Sequence, residues 1–156
     1  MAAVSSALLN QRSVRILIAD DHRLFAESLM SALSEDDRVD VVGLAGNGQE
    51  AVDLGLELQP DVILMDLRMP MLDGFEATRR LREGGSEAQV LILTGADEAV
   101  GSEDAARAGA TGYLRKEQSL TELKDVFLEV ASLAAALSGA GRYGESRPRK
   151  LPPALR

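Results

Sequence analysis

The chain has no cysteine and no tryptophan, and only one histidine, two tyrosines and three phenylalanines in 156 residues. Without cysteine there are no disulfides, no thiolate metal sites and no cysteine nucleophile, and nothing ties the protein to an oxidising compartment. Its apolar runs all stop well short of the ~20 residues that span a bilayer, so no membrane partner is expected. The opening "MAAVSSALLNQRS" lacks a basic segment ahead of its short apolar patch, and residues 1–12 read as a loose leader rather than a secretory signal. A cytoplasmic location is expected.

Basic charge is scarce everywhere except at one end. Residues 139–156 hold Arg142, Arg147, Arg149, Lys150 and Arg156 against Glu145 alone, which leaves 12 basic and 24 acidic residues in 1–138. The body is therefore near −12 and the tail near +4. A body that acidic repels phosphate backbones and offers no basic, aromatic-studded face, so no DNA binding by this chain alone is expected. The stretch "SGAGRYGESRPRKLPPALR" reads as a flexible basic tail or linker over 138–156. A helix-turn-helix needs roughly 60 residues with apolar periodicity, which this tail does not supply.

What is present between 13 and 137 is an alternation. Apolar runs rich in β-branched residues, "VRILIA" (14–19), "VDVVGLA" (39–45), "DVILM" (61–65), "QVLILT" (89–94) and "TGYLR" (111–115), predict five strands. Between them, Leu24, Phe25, Leu29, Ala32 and Leu33 mark one helix face, Ala51, Val52, Leu54 and Leu58 a second, and Phe75, Thr78 and Leu81 a third. "EAVGSEDAARAGA" predicts a weaker fourth helix, because Gly101 lowers its propensity. A fifth starts near Ser119 at "SLTE", with Ser and Glu at capping-box spacing, and runs to about Leu137. Five such units predict an α/β domain over 13–137: a five-stranded parallel sheet, doubly wound, with helices on both faces.

One strand breaks the apolar pattern. "DVILMDLRMPMLDG" (61–74) ends its buried run on Asp66, and burying a carboxylate unpaired costs several kcal/mol. In a doubly wound sheet, ligands bind beyond the carboxyl ends of the strands. The residues at those ends are Asp20 and Asp21, Asp66, Thr94 and Lys116, all on one rim. Three clustered carboxylates repel one another unless a cation sits among them, and an all-oxygen set with no His or Cys nearby suits Mg²⁺. Asp66 would then be a nucleophile that forms an acyl phosphate, with Lys116 and Thr94 binding the phosphoryl oxygens.

Blander and rival readings apply to the same residues. Asp20 and Asp21 also suit capping of the first helix. His22 reads as an exposed first-turn residue, Tyr113 as a rim aromatic, Met69-Pro70 as shaping the loop after Asp66, and Gly74 as the start of the third helix. "GNGQEA" (46–51) imitates a dinucleotide turn, yet that fingerprint belongs after the first strand, where this chain has two aspartates. No P-loop follows any strand. An aspartyl-phosphate phosphatase usually has a second Asp two residues after the nucleophile, where this chain has Arg68, so a stoichiometric switch is better supplied than a turnover enzyme.

The ordered set resembles the receiver domains of two-component response regulators: "ADDH", "LMDLRMPMLDG", the Thr after "VLIL", and "GYLRK" with an aromatic three before the lysine. "DDHRLFAESL" is most similar to the subgroup that usually carries a LuxR-type helix-turn-helix. The resemblance implies a flavodoxin-like receiver fold in which Asp66 is the phosphoacceptor, served by a histidine kinase or phosphorelay protein. It makes Asp21 a direct Mg²⁺ ligand, Asp20 a partner acid, the backbone carbonyl of Arg68 a further ligand, Lys116 the phosphate-binding lysine, and Thr94 and Tyr113 a switch pair. Output would run through protein contacts, including homodimer formation on phosphorylation, or through a DNA-binding domain outside this chain. Two departures stand out: Gly95 where a small residue such as Ala is usual, and Glu117 where many receivers have a proline that makes a cis bond. A receiver-like module that is not phosphorylated is the alternative, though such modules normally lose one of the acids or the lysine.

Overall fold

A computed structural model describes residues 13–95 and 101–118, together with 122, 125, 126 and 128–130. The strands are β1 (Val14–Ala19), β2 (Val39–Ala45), β3 (Val62–Asp66), β4 (Gln89–Thr94) and β5 (Gly112–Arg115). The helices are α1 (Arg23–Ser34), α2 (Gly48–Leu58), α3 (Gly74–Glu83) and α4 (Ser102–Ala108). Residues 122, 125, 126 and 128–130 are helical. The expected leader, the tail and the capping serine Ser119 lie outside the described residues. No described helix is long and apolar enough to cross a membrane.

All strand pairs are parallel and the order is β2-β1-β3-β4-β5. The order reverses direction between β1 and β3, and that crevice is where this topology binds ligands. Alternate residues of each strand feed two cores, which explains the near-continuous apolar runs. Ile16, Ile18, Val62, Leu64, Leu91 and Leu93 pack with Ala26, Leu29 and Leu33 of α1 and with Val130. Leu17, Ala19, Ile63, Met65, Val90 and Ile92 pack on the other side with Ala51 and Val52 of α2 and Ala77 and Leu81 of α3.

Local chemistry sets the helix starts. Asn47 caps α2, its side chain accepting from the Glu50 N–H, and Asp73 caps α3 by accepting from the Glu76 N–H. The glycine of the "GNG" turn serves packing, not a nucleotide: the Gly48 N–H donates to the Pro70 carbonyl at 3.3 Å, and a Cβ on Gly48 would lie 2.1 Å from the Leu72 carbonyl oxygen. Gly74 starts α3 for a similar reason, since a Cβ there would lie 2.5 Å from the Asp66 carbonyl oxygen.

Four expectations need correction. Leu24 is 82% exposed and belongs to no core face; nine residues at about 100° each put it half a turn away from buried Leu33, and Ala26 and Met30 complete the stripe instead. Gly101 is not inside the fourth helix but at its N-cap, with its N–H donating to Asp104. Asp66 does not follow its strand but is its last residue, 2% exposed, in register with Leu93. The first helix is capped by neither Asp20 nor Asp21: His22 is its N-cap residue, without a side-chain cap.

Candidate functional site

The ends of three strands hold the site, each pinned by one more ladder bond. The Asp20 N–H donates to the Ala45 carbonyl at 2.9 Å, the Leu67 N–H to Leu93 at 3.0 Å, and the Lys116 N–H to Thr94 at 2.8 Å. The backbone is therefore ordered up to the rim, and strand parity decides where the side chains go. Asp20, Asp66 and Lys116 alternate with Ala19, Met65 and Arg115, so they share the side of the sheet that α1 covers. Thr94 and Tyr113 fall on the opposite parity, with Tyr113 packed against the α2–α3 core.

Lys116 Nζ lies 2.6 Å from Asp20 Oδ2 and 3.2 Å from Asp66 Oδ1. Its ammonium also sits 4.9 Å above the Phe25 ring centroid, so α1 supplies the site with a cation–π contact as well as core packing. The Asp20 side chain is fully buried, Asp66 is nearly so, and Asp21 is one-third exposed. One ammonium does not neutralise three carboxylates. Asp20 Oδ2 meets Lys116 only as an ion pair, and neither it nor Asp66 Oδ2 receives a hydrogen bond.

The electrostatic consequence falls on Asp66. Burial above all, then the charge of Asp20, pushes its carboxyl from an ordinary 3.8 up to about 7, while the charge and hydrogen bond of Lys116 pull the other way. A proton held by Asp66 can be shared with Asp20, whereas two ionised carboxylates have nothing to donate to each other. The buried Asp66 oxygen without a donor and the donor set of Asp20, Asp21 and Asp66 fit a hard divalent cation.

The structure thus brings Asp20, Asp21, Asp66 and Lys116 together. Thr94 is 1% exposed, and its hydroxyl donates to the Leu114 carbonyl at 3.4 Å, on β5 beside Tyr113. Arg68 is exposed in the loop after β3. His22 is exposed at the start of the first helix, as the sequence suggests, but its ring also borders the acids, so the premise of no nearby histidine does not hold. The His22 N–H donates to Asp20 Oδ1 at 2.8 Å, and its Nδ1 lies 3.1 Å from Asp20 Oδ1, 3.4 Å from Asp21 Oδ1 and 3.9 Å from Asp66 Oδ2. The signal was adjacency: a residue directly after an acidic pair at a strand end has little room to leave the rim.

The acidic crevice thus lies at the β1–β3 switch point, with a buried aspartate ending β3 and a lysine just after β5. Residues 16–128 match the response regulator receiver domain family. The chain belongs to that family. It is 37% identical over 143 residues to the probable transcriptional regulatory protein NarL of Mycobacterium tuberculosis, covering 89% of this chain and 66% of that protein. It is 36% identical over 119 residues to the transcriptional regulatory protein LnrK of Bacillus subtilis, covering 76% of this chain and 54% of that one. Among solved structures, the signal receiver domain of the putative response regulator NarL from M. tuberculosis superposes with a TM-score of 0.72 at 36% identity, covering 78% of this chain and 98% of that domain. A LuxR-family two-component response regulator from Aurantimonas superposes with a TM-score of 0.68 at 30% identity, covering 85% of this chain and 99% of that one. The chain spans between half and two thirds of the length of the curated relatives it matches. A receiver of this family is a regulatory domain of two-component systems rather than an enzyme in the usual sense.

Proposed function

We propose that this receiver is a phosphorylation switch, with Asp66 as its phosphoacceptor, and that the buried Asp66 carboxylate paired with Lys116 is the observation that carries the reading. The Asp66 oxygen on the Lys116 side attacks the phosphorus of a phosphohistidine on a histidine kinase or phosphorelay protein. The P–N bond breaks, an acyl phosphate forms on Asp66, and the leaving imidazole is left with its electron pair and picks up a proton. Lys116 stands 3.2 Å from that oxygen and is placed to hold the arriving phosphoryl oxygens. Asp20, Asp21, Asp66 and the carbonyl of Arg68 would hold Mg²⁺, whose charge would offset the acidic rim where the phosphoryl group arrives.

The same event gives the signal. Thr94 ends the strand beside β3 and its hydroxyl is bonded to the β5 backbone, so drawing that hydroxyl toward a phosphoryl group on Asp66 would free the Leu114 carbonyl and unsettle β5 around Tyr113. The chain is then a cytoplasmic receiver bounded near 13 and 137. Its relatives include transcriptional regulatory proteins, which supports transcription regulation as the output, through a DNA-binding partner domain or through protein contacts that include self-association. Incubating the chain with a small acyl phosphate and Mg²⁺ and weighing it intact tests the reading. One phosphoryl group on wild type and none on Asp66→Asn is expected; an equal gain in Asp66→Asn would overturn it.

A further inference from the structure

The carboxylates divide their oxygens between two partners. Lys116 Nζ takes Asp20 Oδ2 and Asp66 Oδ1, while Asp20 Oδ1, Asp21 Oδ1 and Asp66 Oδ2 face His22 Nδ1. Ligand atoms of all four residues lie within 4.8 Å of one another. Neighbouring ligands of an ion bonded at ~2.0–2.2 Å lie about 3.0–3.5 Å apart, a range that holds the 3.1 and 3.4 Å from Nδ1 to Asp20 and Asp21, with Asp66 Oδ2 further out at 3.9 Å. Asp66 Oδ2, buried and without a hydrogen-bond donor, points into this second set.

Nδ1 also faces contradictory neighbours. Three carboxylate oxygens favour a hydrogen on it, whereas Lys116 Nζ at 3.3 Å favours its lone pair. A cation bound by that lone pair and by the carboxylates satisfies both demands. The backbone of His22 is held by its N–H bond to Asp20 Oδ1 at the N-cap of α1, and its ring, 68% exposed, lies over the rim with Nδ1 toward the carboxylates. Imidazole nitrogen adds little for Mg²⁺ but much for first-row transition ions.

We propose that His22 is a metal ligand, and that this nitrogen turns the acidic rim into a mixed nitrogen–oxygen site that takes a first-row transition ion such as Mn²⁺ or Co²⁺ in preference to Mg²⁺. The inference rests on the acidic rim being a cation site, as proposed above, and adds which ions it selects. A transition ion held this way occupies the same carboxylates that phosphoryl transfer uses, which makes the switch responsive to transition-metal supply.

The chain's composition makes the test clean. His22 is its only histidine and there is no cysteine, so in the tag-free chain an imidazole ¹⁴N coupling to a bound ion has one source. The chain is loaded with Mn²⁺ for pulsed EPR, and Co²⁺ and Mg²⁺ affinities are measured calorimetrically for wild type and His22→Gln. Expected are ¹⁴N modulation in wild type, its loss in His22→Gln, and a fall in the Co²⁺-over-Mg²⁺ preference on the order of ten- to a hundredfold, since loss of even an outer partner of a ligand costs that much. Bound Mn²⁺ that Mg²⁺ displaces but that shows no ¹⁴N modulation would overturn the role of His22 and leave the carboxylate site standing. A preference altered less than threefold in His22→Gln would do the same. No binding of any of the three ions would overturn the proposal together with the cation site beneath it.

Discussion

Replacing Asp66 by asparagine should make the metal-free protein more stable, and increasingly so as pH rises. In the folded chain the Asp66 carboxyl titrates near 7 instead of 3.8, because burial and the charge of Asp20 oppose its ionisation more than Lys116 assists it. Between those two values the folded state holds a proton that the unfolded state has released, so the stability of wild type falls as pH rises through that window. A rise of about three pH units, at about 1.4 kcal/mol each, sets ~4 kcal/mol as the ceiling of that loss above pH 7. Asparagine keeps the shape and never ionises. The substitution also removes one of the two buried oxygens that lack a donor, Asp66 Oδ2, or replaces it with an NH₂ that can donate toward Asp20, while Lys116 keeps its 2.6 Å pair with Asp20.

The stability advantage of Asp66→Asn should therefore be small near pH 4, grow steeply between pH 4 and 7, and level off above it at about 2–4 kcal/mol once rearrangement of the wild-type rim is allowed for. For a chain of this length each kcal/mol moves the midpoint of thermal unfolding by roughly 2–4 °C. Urea unfolding of both proteins at pH 4.5, 6 and 8, in chelator, measures the difference directly, and other titrating groups cancel because they are common to both. An advantage that changes by less than about 1 kcal/mol across this range would refute the assignment of Asp66 as a buried, uncompensated carboxylate.

Gly48→Ala should cost about 1–3 kcal/mol or more in the same unfolding assay, because its Cβ would meet the Leu72 backbone at 2.1 Å and a backbone carbonyl cannot swing aside as a side chain can; a neutral result would mean the 70–72 loop gives way freely. Thr94→Ala should still accept a phosphoryl group on Asp66, yet hydrogen exchange in Gly112–Arg115 should respond to phosphorylation much less than in wild type, since the hydroxyl that binds the Leu114 carbonyl is gone. An undiminished response in β5 would show that the signal leaves Asp66 by another route.

Strands were legible because a parallel sheet covered on both faces needs apolar residues at every position, and three of the five observed strands match the expected bounds while the other two differ by a residue or less at each end. The short helices were less legible. Leu24 has the right chemistry for a core stripe but the wrong angle, a fact visible only once the stripe is anchored on Leu29 and Leu33. In "GNGQEA" the glycine pattern was plain, but its cause is the approach of a loop more than twenty residues away, which no local reading supplies.

Asp20, Asp21, Asp66 and Lys116 could be found because parallel topology collects strand ends on one rim, so order along the chain translates into proximity. His22 and Phe25 were hidden by the same logic: each belongs to a helix start and carries an ordinary structural explanation. The difference lies in what the rim demands. Four groups taken from strand ends account for the charge, but they leave Asp66 Oδ2 without a donor and Lys116 without the ring beneath it. Phe25 in the first turn of α1 and the largely exposed ring of His22 at its N-cap border the same crevice. Asking of each buried charge what still lacks a partner leads from the acids to Phe25 and His22, and His22 Nδ1, surrounded by three carboxylate oxygens, is then the atom whose ligand chemistry separates a simple acidic rim from a selective metal site.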